Sequence, residues 1–138
     1  MKRLGILLFT VLLSSYTLFA QDSNKGKDDK DTRPVISFTE TTHNYGVIKY
    51  KGDGAAEFTF KNEGKEPLLL TKVRSSCGCT VPKTWPKEPI KAGDTATIEV
   101  KYNTRIVGAF SKSVWVYSNA KNSPVTLRIK GKVIQPNN

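Results

Sequence analysis

An all-β fold, an Ig-like β-sandwich of about seven strands, is what this sequence predicts. Three observations carry the prediction. From Pro34 onward, apolar and polar residues alternate in short runs, the period at which successive side chains point to opposite faces of a strand. Clusters of turn-forming residues separate the runs at the spacing typical of a sandwich. No window of helical length carries apolar residues three and four apart.

Taken in order, the first run is VISF, Val35 to Phe38, short and β-branched. HNYGVI follows, from His43 to Ile48, and KGDG, Lys51 to Gly54, makes the next turn. In AAEFTFKN, Ala56, Phe58 and Phe60 alternate with Glu57, Thr59 and Lys61, so one face is buried and the other wetted. NEGKEP turns the chain into LLLTKV, Leu68 to Val73, whose continuous apolar start suggests a central strand covered on both faces. Residues 77 to 90 are expected to form a loop, because Pro82, Pro86 and Pro89 argue against a central strand. AGD then leads into TATIEVKY, with Ala96, Ile98, Val100 and Tyr102 alternating. FSKSVWVY puts Phe110, Val114 and Val116 on one face with Lys112 as an exception, and Trp115 and Tyr117 on the other. VTLRIKGKV closes the set, with Val125, Leu127, Ile129 and Val133 inward and Arg128, Lys130 and Lys132 outward.

The residues before this domain have a different character. Lys2 and Arg3 precede an apolar stretch from Leu4 to Leu13, interrupted by Ser14 and Ser15, and Ala20 offers a small residue for cleavage. Residues 1–20 therefore read as a secretory signal peptide. The apolar stretch is shorter than the roughly 20 residues that span a bilayer. Residues 21–33 contain no apolar side chain, and their four basic and four acidic residues cancel, as in a solvated tether. The expected organisation is thus signal, tether, one domain over 34–134 and a tail over 135–138. Of the net charge of +10, the domain keeps +8, from sixteen basic and eight acidic residues. That excess favours anionic partners, a protein or a cell-envelope surface. Nucleic acid is not expected as a partner, since export removes the chain from it and no helix carries a basic stripe. The expected location is secreted or periplasmic.

The motifs THNYGVI, FTFKNEGKEPLLLTKV, SSCGCTVPKTWPKEPIKAGDTATIEVKY, GAFSKSVWVYSN and LRIKGKV, in this order, resemble an exported bacterial family, domain of unknown function 1573. The resemblance covers roughly Val35 to Val133, and its most specific part is Ser76-Cys77-Gly78-Cys79-Thr80. It implies an Ig-like fold akin to major sperm protein and ASH domains, which serve as protein-binding or structural modules. Two departures stand out. The family commonly has Asp-Phe-Gly where this chain has Asn44, Tyr45 and Gly46, and Pro-Gly where it has Ala92 and Gly93. Asn44 removes the carboxylate that chemistry at that position would need.

Four residues are candidates for function: His43, Cys77, Cys79 and Trp85. No catalytic set accompanies them. His43 is the only histidine, no nucleophile elbow is present, and the carboxylates of the domain are scattered. The expectation is therefore a non-enzymatic interaction or structural module without a cofactor. The alternative is a small thiol redox or copper(I)-binding protein built on Cys77 and Cys79, with His43 as a third soft-metal ligand. Zinc fits poorly, because C-x-C offers two thiolates where structural zinc takes four ligands. In an extended strand the two cysteines would share one face with Cα atoms near 7 Å apart, at the limit for bridging. They are expected to be inert neighbouring sulfurs that bridge only if the backbone bends at Gly78. Trp85, in its proline-flanked segment, either presents a recognition surface or folds back onto the end of the sandwich, and the second is the expectation.

Overall fold

A computed structural model describes residues 31–136. The signal-like segment, residues 21–30 of the tether and the last two residues lie outside them. Eight strands form, one more than expected: β1 (Ile36–Phe38), β2 (Thr42–Lys49), β3 (Ala55–Asn62), β4 (Leu70–Ser75), β5 (Thr80–Thr84), β6 (Thr95–Tyr102), β7 (Gly108–Ser118) and β8 (Val125–Ile134). There is no helix among the described residues. One sheet has the order β1-β3-β6-β5 and the other β2-β8-β7-β4. All pairings are antiparallel except β2 with β8.

The core lies between the sheets and is supplied by the alternating runs. In the first sheet Ala56 faces Val100 across the ladder, Phe58 faces Ile98 and Phe60 faces Ala96. In the second, Val114 faces Leu127 and Val116 faces Val125. Phe58, Phe60, Ile98, Val100, Val114, Val116, Leu127 and Ile129, the inward residues of these runs, are all buried. Pairing of this kind on one face is what stabilises a sheet and fixes its register. The Lys112 exception stands opposite Ile129 and is half-buried.

Two expectations about strands are corrected. Leu68 to Leu70 do not begin a central strand: β4 is the edge of its sheet, and Leu69 is exposed. Leu68 is buried through a single bridge to Ile90 instead, with both backbone bonds at 2.8 Å. The segment from 77 to 90 is not all loop either, since Thr80–Thr84 pairs with β6 as an edge strand. Pro82 is tolerated there because only one side of an edge strand needs its N–H groups, and the register shifts beside it, between Pro82 and Thr84.

Two local devices tie the turns to the core. In β2 the register with β8 shifts between Asn44 and Val47, and Gly46 takes a left-handed φ of 63° that a β-carbon would oppose. Asn44 Oδ1 accepts the Gly46 N–H at 3.0 Å, so its side chain serves the bulge. Tyr45 packs against Phe110, and its hydroxyl donates to the Gly54 carbonyl at 2.7 Å. Burial pushes the Tyr45 phenol up to about 12. At the other end of β3, fully buried Asn62 donates through Nδ2 to the carbonyls of Glu66 at 2.8 Å and Ile90 at 3.1 Å. Its Oδ1 accepts the Gly64 N–H at 3.0 Å. One side chain thus holds two loops.

Candidate functional site

The CGC segment is where the chain crosses from one sheet to the other. β4 ends at Ser75 in the second sheet, β5 begins at Thr80 in the first, and Ser76 to Cys79 form a turn between them. The turn is anchored on both sides. Ser76 N–H donates to the Ser113 carbonyl at 2.9 Å, and Ser113 N–H donates back to Ser76 Oγ at 3.2 Å. On the other side Asn103 N–H donates to the Cys79 carbonyl at 2.8 Å. Ser75 Oγ donates to the Cys77 carbonyl at 2.8 Å, which closes the first half of the turn.

Within this turn Cys77 and Cys79 form a disulfide, with Cα atoms 5.3 Å apart. The expectation of two unbridged sulfurs on one strand face is overturned. It assumed an extended backbone, whereas a turn shortens the Cα separation into the range a disulfide accepts. Gly78 does not take a positive φ, so a left-handed backbone there is not what permits the bridge. Both cysteines are half-buried rather than core residues.

A bridge between residues two apart removes little freedom from the unfolded chain, because its stabilisation grows with loop length. Cys77→Ser with Cys79→Ser is therefore expected to leave the sandwich intact and to cost about 1–2 kcal/mol. Urea unfolding of the double variant, and of the parent chain with and without reductant, checks this. A loss above about 4 kcal/mol would mean that the bridge holds the crossover itself.

His43 and Trp85 do not join the cysteines in one site. His43 lies on β2, the edge strand opposite β4 in the second sheet, and its ring meets the edge of Tyr45 at 4.5 Å. Among the described residues no three His, Cys, Asp or Glu side chains gather in metal-binding proximity. Trp85 is half-buried against the core, as expected of an aromatic folded back, and Lys87 Nζ sits 3.2 Å from its ring centroid. That contact is a cation–π arrangement that covers one ring face.

What the disulfide turn does border is a cleft of about 460 Å³. Gly78 and Cys79 form one wall, Val81 and Lys83 of β5 a second, and Lys101 at the end of β6 continues into Asn103, Thr104 and Arg105. Lys51 and Gly52, from the turn after β2, close the remaining side. Thr104 braces the floor: its hydroxyl donates to the Gly52 carbonyl at 2.7 Å, and its own carbonyl accepts the Lys51 N–H at 3.2 Å. Four of the lining residues are cationic and none is acidic. The ion pairs among the described residues involve Arg33, Lys121 and Asp31, so none of the four cleft cations is paired with a carboxylate. In the sequence the only sign of this cleft is the +8 surplus, because its lining comes from three stretches, 51–52, 78–83 and 101–105, that lie apart in the chain.

Solved structures match the fold. The ASH/PapD-like domain 7 of human CEP192 superimposes with a TM-score of 0.62 at 7% identity, over 77% of this chain and 89% of that one. A protein of unknown function from Porphyromonas gingivalis W83 gives 0.61 at 18% identity, over 72% of this chain and 46% of that one. The VesB protease of Vibrio cholerae gives 0.61 at 16% identity, over 70% of this chain and 31% of that one. The chain thus spans under half the length of the two bacterial proteins. No curated protein sequence matches it. These identities speak for an Ig-like sandwich and for nothing chemical. Residues 36–133 match the model of the family described as Protein of unknown function (DUF1573), and the chain belongs to that family.

Proposed function

We propose that this chain is an exported, non-enzymatic Ig-like interaction module that engages an anionic partner, a protein or a cell-envelope surface, through the cleft beside its disulfide turn. One observation carries the reading: Lys51, Lys83, Lys101 and Arg105 line a single cleft with no carboxylate among its walls. A cleft lined by cations with no carboxylate among its walls attracts an anionic partner. The signal-like N-terminus supports export. The CEP192 domain supports the module reading by its architecture alone.

The full chain is expected to bind polyglutamate-coupled resin and to elute earlier as salt rises, since exposed charges are screened within about 8 Å at physiological ionic strength. Lys83→Glu with Lys101→Glu should elute at clearly lower salt than Lys61→Glu with Lys65→Glu, which carries the same charge change outside the cleft. Trp85→Ala should elute with the parent. Equal elution of the two charge-reversed variants would count against the cleft. Loss of binding in Trp85→Ala would move the contact to the proline-flanked segment.

A further inference from the structure

We infer that the basic cleft binds a compact phosphate-bearing ligand, a phosphate group on a small polar body; this rests on the anionic-partner reading above and narrows it. Four features separate this ligand from an extended acidic chain. The cations arrive from different segments, the turn at Lys51, β5 at Lys83, the end of β6 at Lys101 and the following loop at Arg105, and they surround one space. An acidic strand would instead need charges in a row along a sheet edge it could extend. The edge that borders the cleft is β5, which is five residues long and interrupted by Pro82. A proline on a short edge is a device against strand addition.

Charge supplies the second feature. Three ammonium groups and a guanidinium without a facing carboxylate call for an anion with more than one negative charge. Phosphate provides that near neutral pH, and it offers the oxygens that an arginine fork engages in pairs.

The third feature is the supply of neutral donors. Asn103 Oδ1 accepts the Arg105 N–H at 3.1 Å, and the Asn103 side-chain amide N–H groups donate to no protein acceptor among the described residues. The Gly78 and Cys79 N–H groups on the opposite wall are likewise without a protein acceptor among them. Backbone N–H groups at a turn are common partners of phosphate oxygens. Size is the fourth. At about 460 Å³ the cleft exceeds what a bare phosphate fills and falls within the range of small-ligand sites. A soluble ester and a lipid headgroup both present such a phosphate, and the vesicle arm of the test separates these sources.

The test titrates inorganic phosphate, and in parallel acetate, into the full chain at low ionic strength, read by calorimetry and by amide shifts. Phosphate should bind one per chain and at least tenfold more tightly than acetate, shifting the amides of Gly78, Cys79 and Asn103. Lys83→Glu with Lys101→Glu should weaken phosphate at least tenfold, and Lys61→Glu with Lys65→Glu less than twofold. Arg105→Gln, a milder change at an exposed loop residue, should repeat the loss if the double variant folds poorly. Vesicles of phosphatidylglycerol that capture the chain and release it to free phosphate support the inference with a headgroup as source. No capture, with phosphate binding intact, supports it with a soluble ester. Phosphate no tighter than acetate, or equal weakening in both double variants, overturns it. If the polyglutamate result still depends on the cleft, the broader reading survives that failure. If neither anion depends on the cleft, both readings fall.

Discussion

Asn62→Leu is expected to lower the unfolding free energy by about 2–4 kcal/mol, although leucine keeps the branching and heavy-atom count of asparagine. The loss comes from stranded partners. Asn62 is fully buried, and its amide serves the Glu66 and Ile90 carbonyls while its oxygen serves the Gly64 N–H. Ile90 keeps a second partner, because its carbonyl also accepts the Leu68 N–H at 2.8 Å. Glu66 and Gly64 lose theirs, at bonds that are partly buried. A buried polar group left unpaired costs about 1–3 kcal/mol, more than the net gain from forming an average hydrogen bond. The backbone bonds of Asn62 to Asp94 and Gly93 remain, so the variant should still fold. Urea denaturation should show a lower midpoint with an unchanged slope. A loss under about 1 kcal/mol would show that water replaces the amide and that the loops do not depend on it.

Gly54→Ala should cost about 3 kcal/mol for a single added methyl group. Gly54 is buried just before β3, where the chain passes close to the end of β6. A β-carbon there would overlap the Tyr102 carbonyl oxygen and come within 2.9 Å of Thr104 Cγ2. The first obstacle is backbone inside a ladder and cannot rotate away. Relieving the overlap means separating the strands, which breaks the 2.8 Å bond from Tyr102 N–H to the Gly54 carbonyl and disturbs the Tyr45 hydroxyl on the same oxygen. Thermal unfolding of Gly54→Ala beside Gly78→Ala, where a β-carbon meets nothing within 4 Å, isolates the steric part. Equal stability of the two variants would remove close approach as the reason for glycine at 54.

The strands were legible where burial is one-sided. Phe58, Ile98 and Leu127 sit in strict alternation, and such a pattern tolerates no other register. Legibility failed at the edges. Leu68, Leu69 and Leu70 look alike in sequence, yet one is buried through a bridge to Ile90, one is exposed and one enters β4. Pro82 argued against a central strand correctly, but it is compatible with the edge strand that forms. The disulfide was obscured by treating Cys77 to Cys79 as extended, when the sheet-to-sheet crossing requires a turn there. Least legible was the cleft. Lys51, Lys83, Lys101 and Arg105 resemble every other exposed cation until strand order brings them together, and local sequence carries no information about that order.

The parallel pairing of β2 with β8 bears on the direction in which the chain is made. Thr42 lies opposite Arg128 and Lys49 opposite Ile134, so the second strand waits for the eighth. During synthesis every strand of the first sheet is present once Tyr102 has emerged, but β2 has no partner in the second until β8 has been made. Until then the side of β2 that β8 covers stays open to pairing by other chains. Chain made only as far as residue 124 holds every strand of the first sheet and an incomplete second one, so pairing β2 with β8 is a long-range closure of the kind that slows folding.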